Sequence, residues 1–441
     1  MTNRHNNHSD RLIIFTRYPA PGKTKTRLIP LIGSLGAADL QRRLAEKTLK
    51  TTRKAASVSS IGIDIHFEGS SLKKIKQWLG SGLNYEYQRK GNIGERMFQS
   101  FDDVFNKGCR KAVLIGTDIP GLEAEHLRKA FNALERNDLV LGPSTDGGYW
   151  LIGLNRPVDI FKGIDWSTSS VLNQTLSAAK DNRLKTQLIN TLMDIDTADD
   201  LRGWRPEESG KRPYISVIIP TLNEGKTIEA SIQSALDKDS EIIAVDGGSD
   251  DNTVRKSSKM GAKVLMSPKG RGLQLNYGAK EANGRILLFL HADTLLPKSY
   301  INTVFETLLY EKTIAGAFLF KTDIEHPLIK IFEFNANIRS RYLNLPYGDQ
   351  GIFLQKTVFE AEGGFPETAI AEDLLLMRRL YKKGKIRIAP AYAVTSGRRW
   401  QKIGLFRTMF INQIILAGCL IGISPDRLAP LYKIRKKNLP S

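Results

Sequence analysis

The sequence predicts two tandem α/β domains, each a largely parallel sheet with helices packed against it. Its 441 residues are enough for two ordinary domains, each with a sizeable core. On both sides of a polar stretch at 202–213, RGWRPEESGKRP, the order strand, loop, helix, strand repeats, and a short apolar run in each half ends on an aspartate. The stretch holds two prolines, two glycines and no periodic apolar signal, which marks a boundary. The first domain is therefore placed at 1–203, a linker at 204–213, the second domain at 214–400 and a basic amphipathic tail at 401–441.

In the first half, residues 11–28, RLIIFTRYPAPGKTKTRL, run a strand into a Pro-Gly loop that carries Arg17, Lys23, Lys25 and Arg27. Backbone N–H groups and cations converging on one loop suit a diphosphate or triphosphate. The pattern is not a P-loop, which frames four residues between two glycines before Lys-Ser/Thr. At 111–122, KAVLIGTDIPGL, a buried strand ends just before Asp118, a candidate metal ligand. Residues 139–154, LVLGPSTDGGYWLIGL, add Asp146, followed by two glycines and another strand.

The second half opens with YISVIIPTLNEG at 214–225, a strand followed by a turn holding Asn223 and Glu224. EIIAVDGGSDDNT at 241–253 ends a strand on Asp246; its Gly-Gly pair lets a ligand approach the backbone, and Asp250 or Asp251 can cap the next helix. In NGRILLFLHADTLLP at 283–297, five apolar residues deliver Asp293 just past their end. A run this short and unbroken fits a strand buried on both faces, and in open α/β sheets ligands gather at that carboxyl edge. Asp293 thus reads as a metal and diphosphate site. TAIAEDLLLMRRLYKKGK at 368–385 starts a helix on Glu372 and Asp373, where the positive helix end favours ionised carboxylates. SGRRW at 396–400 offers Arg398, Arg399 and Trp400, two guanidiniums and an indole suited to a diphosphate and a sugar ring.

These five segments resemble the family 2 glycosyltransferases over roughly 214–400. The resemblance implies a GT-A fold, a Rossmann-like nucleotide-diphospho-sugar transferase sandwich. It also implies Asp373 as the catalytic base, with Glu372 as the alternative, and donor contacts from Glu224, Asp246, Arg399 and Trp400. Three positions depart from the family pattern. Gly247 follows Asp246 where many members carry a second acid; His291 stands where an aspartate is commonest; Ser396 replaces the glutamine of processive members, which argues against a long-polymer synthase. His291 either ligates the metal, favouring Mn over Mg, or hydrogen-bonds beside the phosphate. The first half, with GNIGERM at 91–97 and DIDTADDL at 194–201, resembles radical-SAM/selenodomain-associated transferase family 1 of arsenosugar biosynthesis, and the second half the corresponding family 2.

Lys and Arg number 65 against 46 Asp and Glu, a formal charge of +19. Without aromatic interleaving in a recognisable motif, this excess points to anionic nucleotide-sugars and an anionic membrane surface, and away from nucleic acid. Between 398 and 437 nine basic residues flank the apolar run 409–423. That run is either an interfacial helix, giving peripheral contact with the inner face of the membrane, or a helix docked on the domain's own core. It is shorter than the roughly 20 residues of a spanning helix. Two cysteines, Cys109 and Cys419, form no disulfide framework, and the polar N-terminus lacks a secretory core; both suit a cytoplasmic setting.

The expected activity is metal-dependent, inverting transfer from a nucleotide-sugar donor to a small-molecule or lipid-linked acceptor, with a divalent cation, Mn or Mg, on the diphosphate. The alternatives are a bifunctional nucleotidyltransferase plus glycosyltransferase, or a non-catalytic nucleotide- or nucleic-acid-binding protein. The first domain transfers a sugar, transfers a nucleotidyl group, or only binds.

Overall fold

The computed structural model describes residues 10–58, 61–205, 210, 212–398 and 405–432. The chain divides into two compact units, Met1–Lys211 and Arg212–Ser441.

In the first unit, β1 (Asp10–Arg17), β2 (Ile61–Glu68), β3 (Asn84–Tyr87), β4 (Lys111–Ile115), β5 (Leu139–Pro143), β6 (Tyr149–Leu154) and β7 (Thr186–Leu188) share one sheet, ordered β3-β2-β1-β4-β6-β5-β7. The first four are parallel, and β6 runs antiparallel to both β4 and β5. β4 is buried along its whole length, which is why its sequence is a continuous apolar run after Lys111. The helix Ile93–Asn106 begins at a capping box, Asn92 with Glu95, and lays Met97, Phe101 and Val104 on the sheet. Phe101 is fully buried, so truncation to alanine costs about 3–5 kcal/mol.

The second unit has an eight-stranded sheet. β8 (Ile215–Thr221), β9 (Ser240–Asp246), β10 (Lys263–Met266), β11 (Ile286–Phe289), β12 (Thr294–Leu295), β13 (Thr313–Thr322), β14 (Ile352–Gln355) and β15 (Lys385–Thr395) are ordered β10-β9-β8-β11-β14-β13-β15-β12. Again the first four are parallel, and β14 is antiparallel to β11. Both sheets are therefore mixed. A strand buried on both faces reads the same in sequence whichever way its neighbour runs, so the pattern could not reveal the antiparallel strands.

Phe289, Phe359 and Phe365 meet at ring-centre distances of 4.7–5.5 Å in the core of this unit. The helix Leu405–Leu420 joins the same core through Ile415, Leu416 and Cys419, and Leu428 closes over it. Arg378 donates to the Cys419 carbonyl (2.7 Å), and Asp426 accepts from the Ala369 N–H (2.9 Å). Of the two readings of the tail, docking on its own domain is the one these contacts display, although Phe410 and Ile421 stay exposed. Among the described residues, no helix is long and apolar enough to cross a membrane.

Candidate functional site

In the second unit the ends of β8, β9 and β11 and the far end of β15 supply the polar groups. β12 follows Asp293 directly and pairs with β15 at Thr294 and Thr395. The Ser396 N–H then donates to the Asp293 carbonyl (2.9 Å), and two residues later Arg398 turns over the carboxylates. Its Nη2 donates to Glu224 Oε2 (2.7 Å) and Asp293 Oδ2 (3.4 Å). Two acids thus share one guanidinium. Burial, then repulsion from Glu224, raises the Asp293 carboxyl above the ordinary range against the pull of Arg398.

Asp246, from which a donor contact is expected, closes β9. It is fully buried, and both oxygens accept from its own surroundings: Gly248 N–H (2.9 Å) and Ser249 N–H (2.7 Å) on one, Ser249 Oγ (2.6 Å) and Thr221 Oγ1 (3.0 Å) on the other. Those bonds tie the Gly-Gly loop to the end of β8. Asp251 reaches the start of the next helix through the Thr253 N–H (2.9 Å) and ties it to Gly225 (3.0 Å).

Glu372 and Asp373 open the helix Glu372–Tyr381, directly after Ala371, which holds the left-handed φ of 62°. A β-carbon at such an angle is strained, and strain of this kind concentrates at functional sites. Asp373 accepts from the Gly348 N–H (2.6 Å) and from the N–H of Leu374 (2.7 Å). Glu372 is 3% exposed and receives Arg271 at 3.4 Å; burial raises its carboxyl, with Arg271 opposing. Both acids line a cavity of about 240 Å³ with Arg271 and Tyr347.

A β-carbon placed on Gly348 would lie 2.7 Å from His291 Nε2 and 3.3 Å from Asp373 Oδ2, so the imidazole faces the turn that holds Asp373. Among the described residues no three or more His, Cys, Asp or Glu are grouped to hold a metal ion. The oxygen-only pair Asp293 and Glu224 is the set that fits a hard divalent cation, with the remaining ligands left to a diphosphate. Arg399 and Trp400 lie outside the described residues. Their neighbour Arg398, the other guanidinium of that motif, is the one seen on Glu224 and Asp293.

Asp349 and Arg271 also escaped the sequence reading. Asp349 lies in the turn Gly348–Gln350, where burial pushes its carboxyl up to about 6, Arg339 pulls it down, and Asp373 and Asp293 raise it further. The signal was an acid framed by glycines in YGDQG ahead of β14. Its nearness to Asp373 depends on long-range pairing that no local pattern displays.

In the first unit Lys25 holds the left-handed φ of 42°, which turns its side chain inward to 5% exposure. Its Nζ meets Asp196 (3.3 Å) and, farther off, Asp118 (3.9 Å). Lys23 and Arg27 are exposed. Of the loop's four basic residues, Lys25 is the one turned inward onto these aspartates. Asp146 is held by the hydroxyl of Ser144 and the Gly148 N–H (2.9 Å). Asp194 stands close enough to Asp146 and Asp118 that burial first, then those charges, push it up to about 7. Burial likewise raises Asp118, against Lys25. The aspartates alternating at 194 and 196 were the signal that these two face one site.

Two sheets with the parallel order 3-2-1-4, each meeting an acid–cation cluster at its carboxyl edge, define tandem GT-A-like domains of the nucleotide-diphospho-sugar transferase type. Residues 216–358 match the family model described as glycosyl transferase family 2, and 48–168 that described as "Uncharacterized protein conserved in bacteria (DUF2064)". The chain is thus a two-domain glycosyltransferase-like protein, a DUF2064 domain followed by a family 2 domain. It is 26% identical over 224 residues to the probable glycosyltransferase YdaM of Bacillus subtilis, covering 43% of this chain and only 51% of that protein. It is 22% identical over 186 residues to a phosphoenolpyruvate guanylyltransferase of Chloroflexus aggregans, covering 41% of this chain and 90% of that one. A candidate nucleotide-diphospho-sugar transferase from Desulfovibrio desulfuricans G20, known as a crystal structure, is 32% identical, covers 45% of this chain and 87% of its own, and superposes with a TM-score of 0.41.

Proposed function

We propose that the second unit transfers a sugar from a nucleotide-sugar to an acceptor hydroxyl with inversion, Asp373 being the base. The observation that carries this reading is the placing of Asp373 on a cavity wall at a helix N-terminus, its carboxylate fixed by two backbone N–H groups. The acceptor oxygen attacks the anomeric carbon, the bond from that carbon to the diphosphate breaks, and the diphosphate leaves with the electron pair. The acceptor proton passes to Asp373. Arg398 meets negative charge gathering on the leaving group. Asp293 and Glu224 would hold the divalent cation, Mn or Mg, which when bound offsets that same charge.

The experiment is release of nucleoside diphosphate from a panel of UDP- and GDP-sugars in Mn, Mg or chelator. Release in metal and its loss in chelator are expected. Equal release in chelator contradicts the metal assignment, and no release with any donor contradicts the transferase reading.

The acid cluster around Lys25 favours a second activity in the first unit. There we propose nucleotide binding with a cation at Asp118, of the nucleotidyltransferase-like kind that the guanylyltransferase relative suggests. The cytoplasmic setting, a role in arsenosugar or related glycoside biosynthesis and a lipid-linked acceptor belong to the same proposal. Peripheral membrane contact rests on the exposed Phe410 and Ile421 beside the basic tail, and vesicle co-sedimentation at low and high salt tests it.

A further inference from the structure

The cavity at Asp373 has a neighbour. Tyr347 and Asn412 line the 240 Å³ cavity and also a second one of about 220 Å³, which is walled by Phe320, Phe332, Leu343 and Leu416. Two chambers thus meet across a tyrosine and an amide, the inner one at the carboxylate and the outer one away from it. Three elements that are remote in sequence build the outer chamber: β13, the helix Pro327–Tyr342 and the terminal helix Leu405–Leu420. The last of these begins well beyond the stretch that matches the family 2 model.

The chemistry of the outer chamber is specific. Its described lining is mainly aromatic and aliphatic, with the amides of Asn335, Asn412 and Gln413. Among the described lining residues the only cation is Arg339. That guanidinium lies 3.5 Å from the centre of the Tyr347 ring, and its Nε donates to the Leu345 carbonyl (3.1 Å). Its charge is opposed by Asp349, which lines the same chamber and feels Arg339 as its strongest counter-charge. A phosphate or carboxylate entering here would find its one cation already stacked, bonded and balanced. An apolar or aromatic body with a few hydrogen-bonding groups would fit.

We propose that the outer chamber is the acceptor's second subsite and that it takes a neutral, apolar-bodied alcohol or glycoside, the reacting hydroxyl lying in the inner chamber at Asp373. This rests on the assignment of Asp373 as the base. It gives the terminal helix a role in choosing the acceptor, because Asn412 and Leu416 close the chamber.

The test uses the full-length protein with 4-nitrophenyl and octyl glycosides against the corresponding free sugars and sugar 1-phosphates. The neutral glycosides should show a kcat/KM on the order of 10-fold or more above the free sugars and the phosphates. Ala336→Trp, which fills the chamber, and Phe332→Asp, which charges it, should each erase that preference, whereas Lys330→Gln, on the exposed side of the same helix, should preserve it. Preference for the sugar phosphates, or an Ala336→Trp enzyme with unchanged discrimination, overturns the proposal. Calorimetric titration of 4-nitrophenyl glycosides without donor separates this from failure of the transferase reading. Heat in the wild type and none in either chamber variant supports the subsite even if no donor is turned over, and equal heats in all three overturn it.

Discussion

The two units answer the same electrostatic problem in opposite ways. Each brings β-strands in the order 3-2-1-4 to an edge where an aspartate follows the fourth strand, Asp118 in one and Asp293 in the other. In the first unit the balancing cation, Lys25, comes from the loop after the first strand and meets Asp196 and, farther off, Asp118, whose charge Asp146 and Asp194 also feel or oppose. In the second the cation is Arg398, which arrives from the end of the last long strand and serves only Glu224 and Asp293 in the contacts described. The second unit adds a helix that begins on an acid pair beside a cavity. One sheet order therefore carries mutually repelling aspartates in one half, and in the other a guanidinium shared by two acids with a separate acid pair at a helix start.

The largest effect that would sharpen this contrast is expected from Asp373→Asn. Turnover should fall by about 100-fold to 10,000-fold with donor affinity near normal by calorimetry. A drop in donor affinity of similar size would make Asp373 a binding group and blur the distinction.

Next comes removal of each cation. Arg398→Ala leaves Glu224 and Asp293 facing each other and should weaken donor binding by about 10-fold to 100-fold, or roughly 1.4–2.7 kcal/mol. Lys25→Ala should destabilise the first unit by about 2 kcal/mol, less than a fully buried pair because its partners are partly exposed. Denaturant melts read the second effect. An unchanged midpoint would mean that the aspartates are screened well enough to need no counter-charge.

A smaller, pH-dependent effect tests the crowding itself. Asp194 is raised from 3.8 to about 7, so between those values the folded state binds more protons than the unfolded one and stability falls as pH rises. Asp194→Asn should therefore raise the melting temperature above pH 7 and change little at pH 4, by roughly 2–4 °C for each kcal/mol recovered. The scan is run in chelator. An equal shift at both pH values would show that the charge is not the cause.

The smallest effect concerns the strained residues. Lys25 and Ala371 both occupy left-handed backbone, one in each unit. Ala371→Gly relieves the β-carbon clash worth about 1–2 kcal/mol but loses about 0.5–1 kcal/mol to the freer unfolded chain. A gain below about 1 kcal/mol is expected, read as a small rise in melting temperature. A clear loss would mean that the Ala371 methyl packs against something that matters more than its dihedral.

What the sequence displayed, and what it hid, follows from range. Continuous apolar runs at 112–115 and 286–289 identified central strands because burial on both faces removes polar alternation. The acid pair at 372–373 was legible because capping and charge preference are local. Lys25 could not be told from Lys23 and Arg27, since only the left-handed φ turns it inward. That Arg398 meets Asp293 depends on the pairing of Thr294 with Thr395, which no local pattern displays. That Asp246 bonds the Ser249 and Thr221 hydroxyls depends on the fold of the loop and is not visible in its place at a strand end.

The central claim is that sugar transfer belongs to the second unit with Asp373 as base. Its most direct test is nucleoside diphosphate release measured side by side in wild type, Asp373→Asn and Asp118→Asn with one productive donor, metal and acceptor. The account predicts release near the wild-type rate for Asp118→Asn and its collapse for Asp373→Asn. Collapse in Asp118→Asn with full turnover in Asp373→Asn would contradict it.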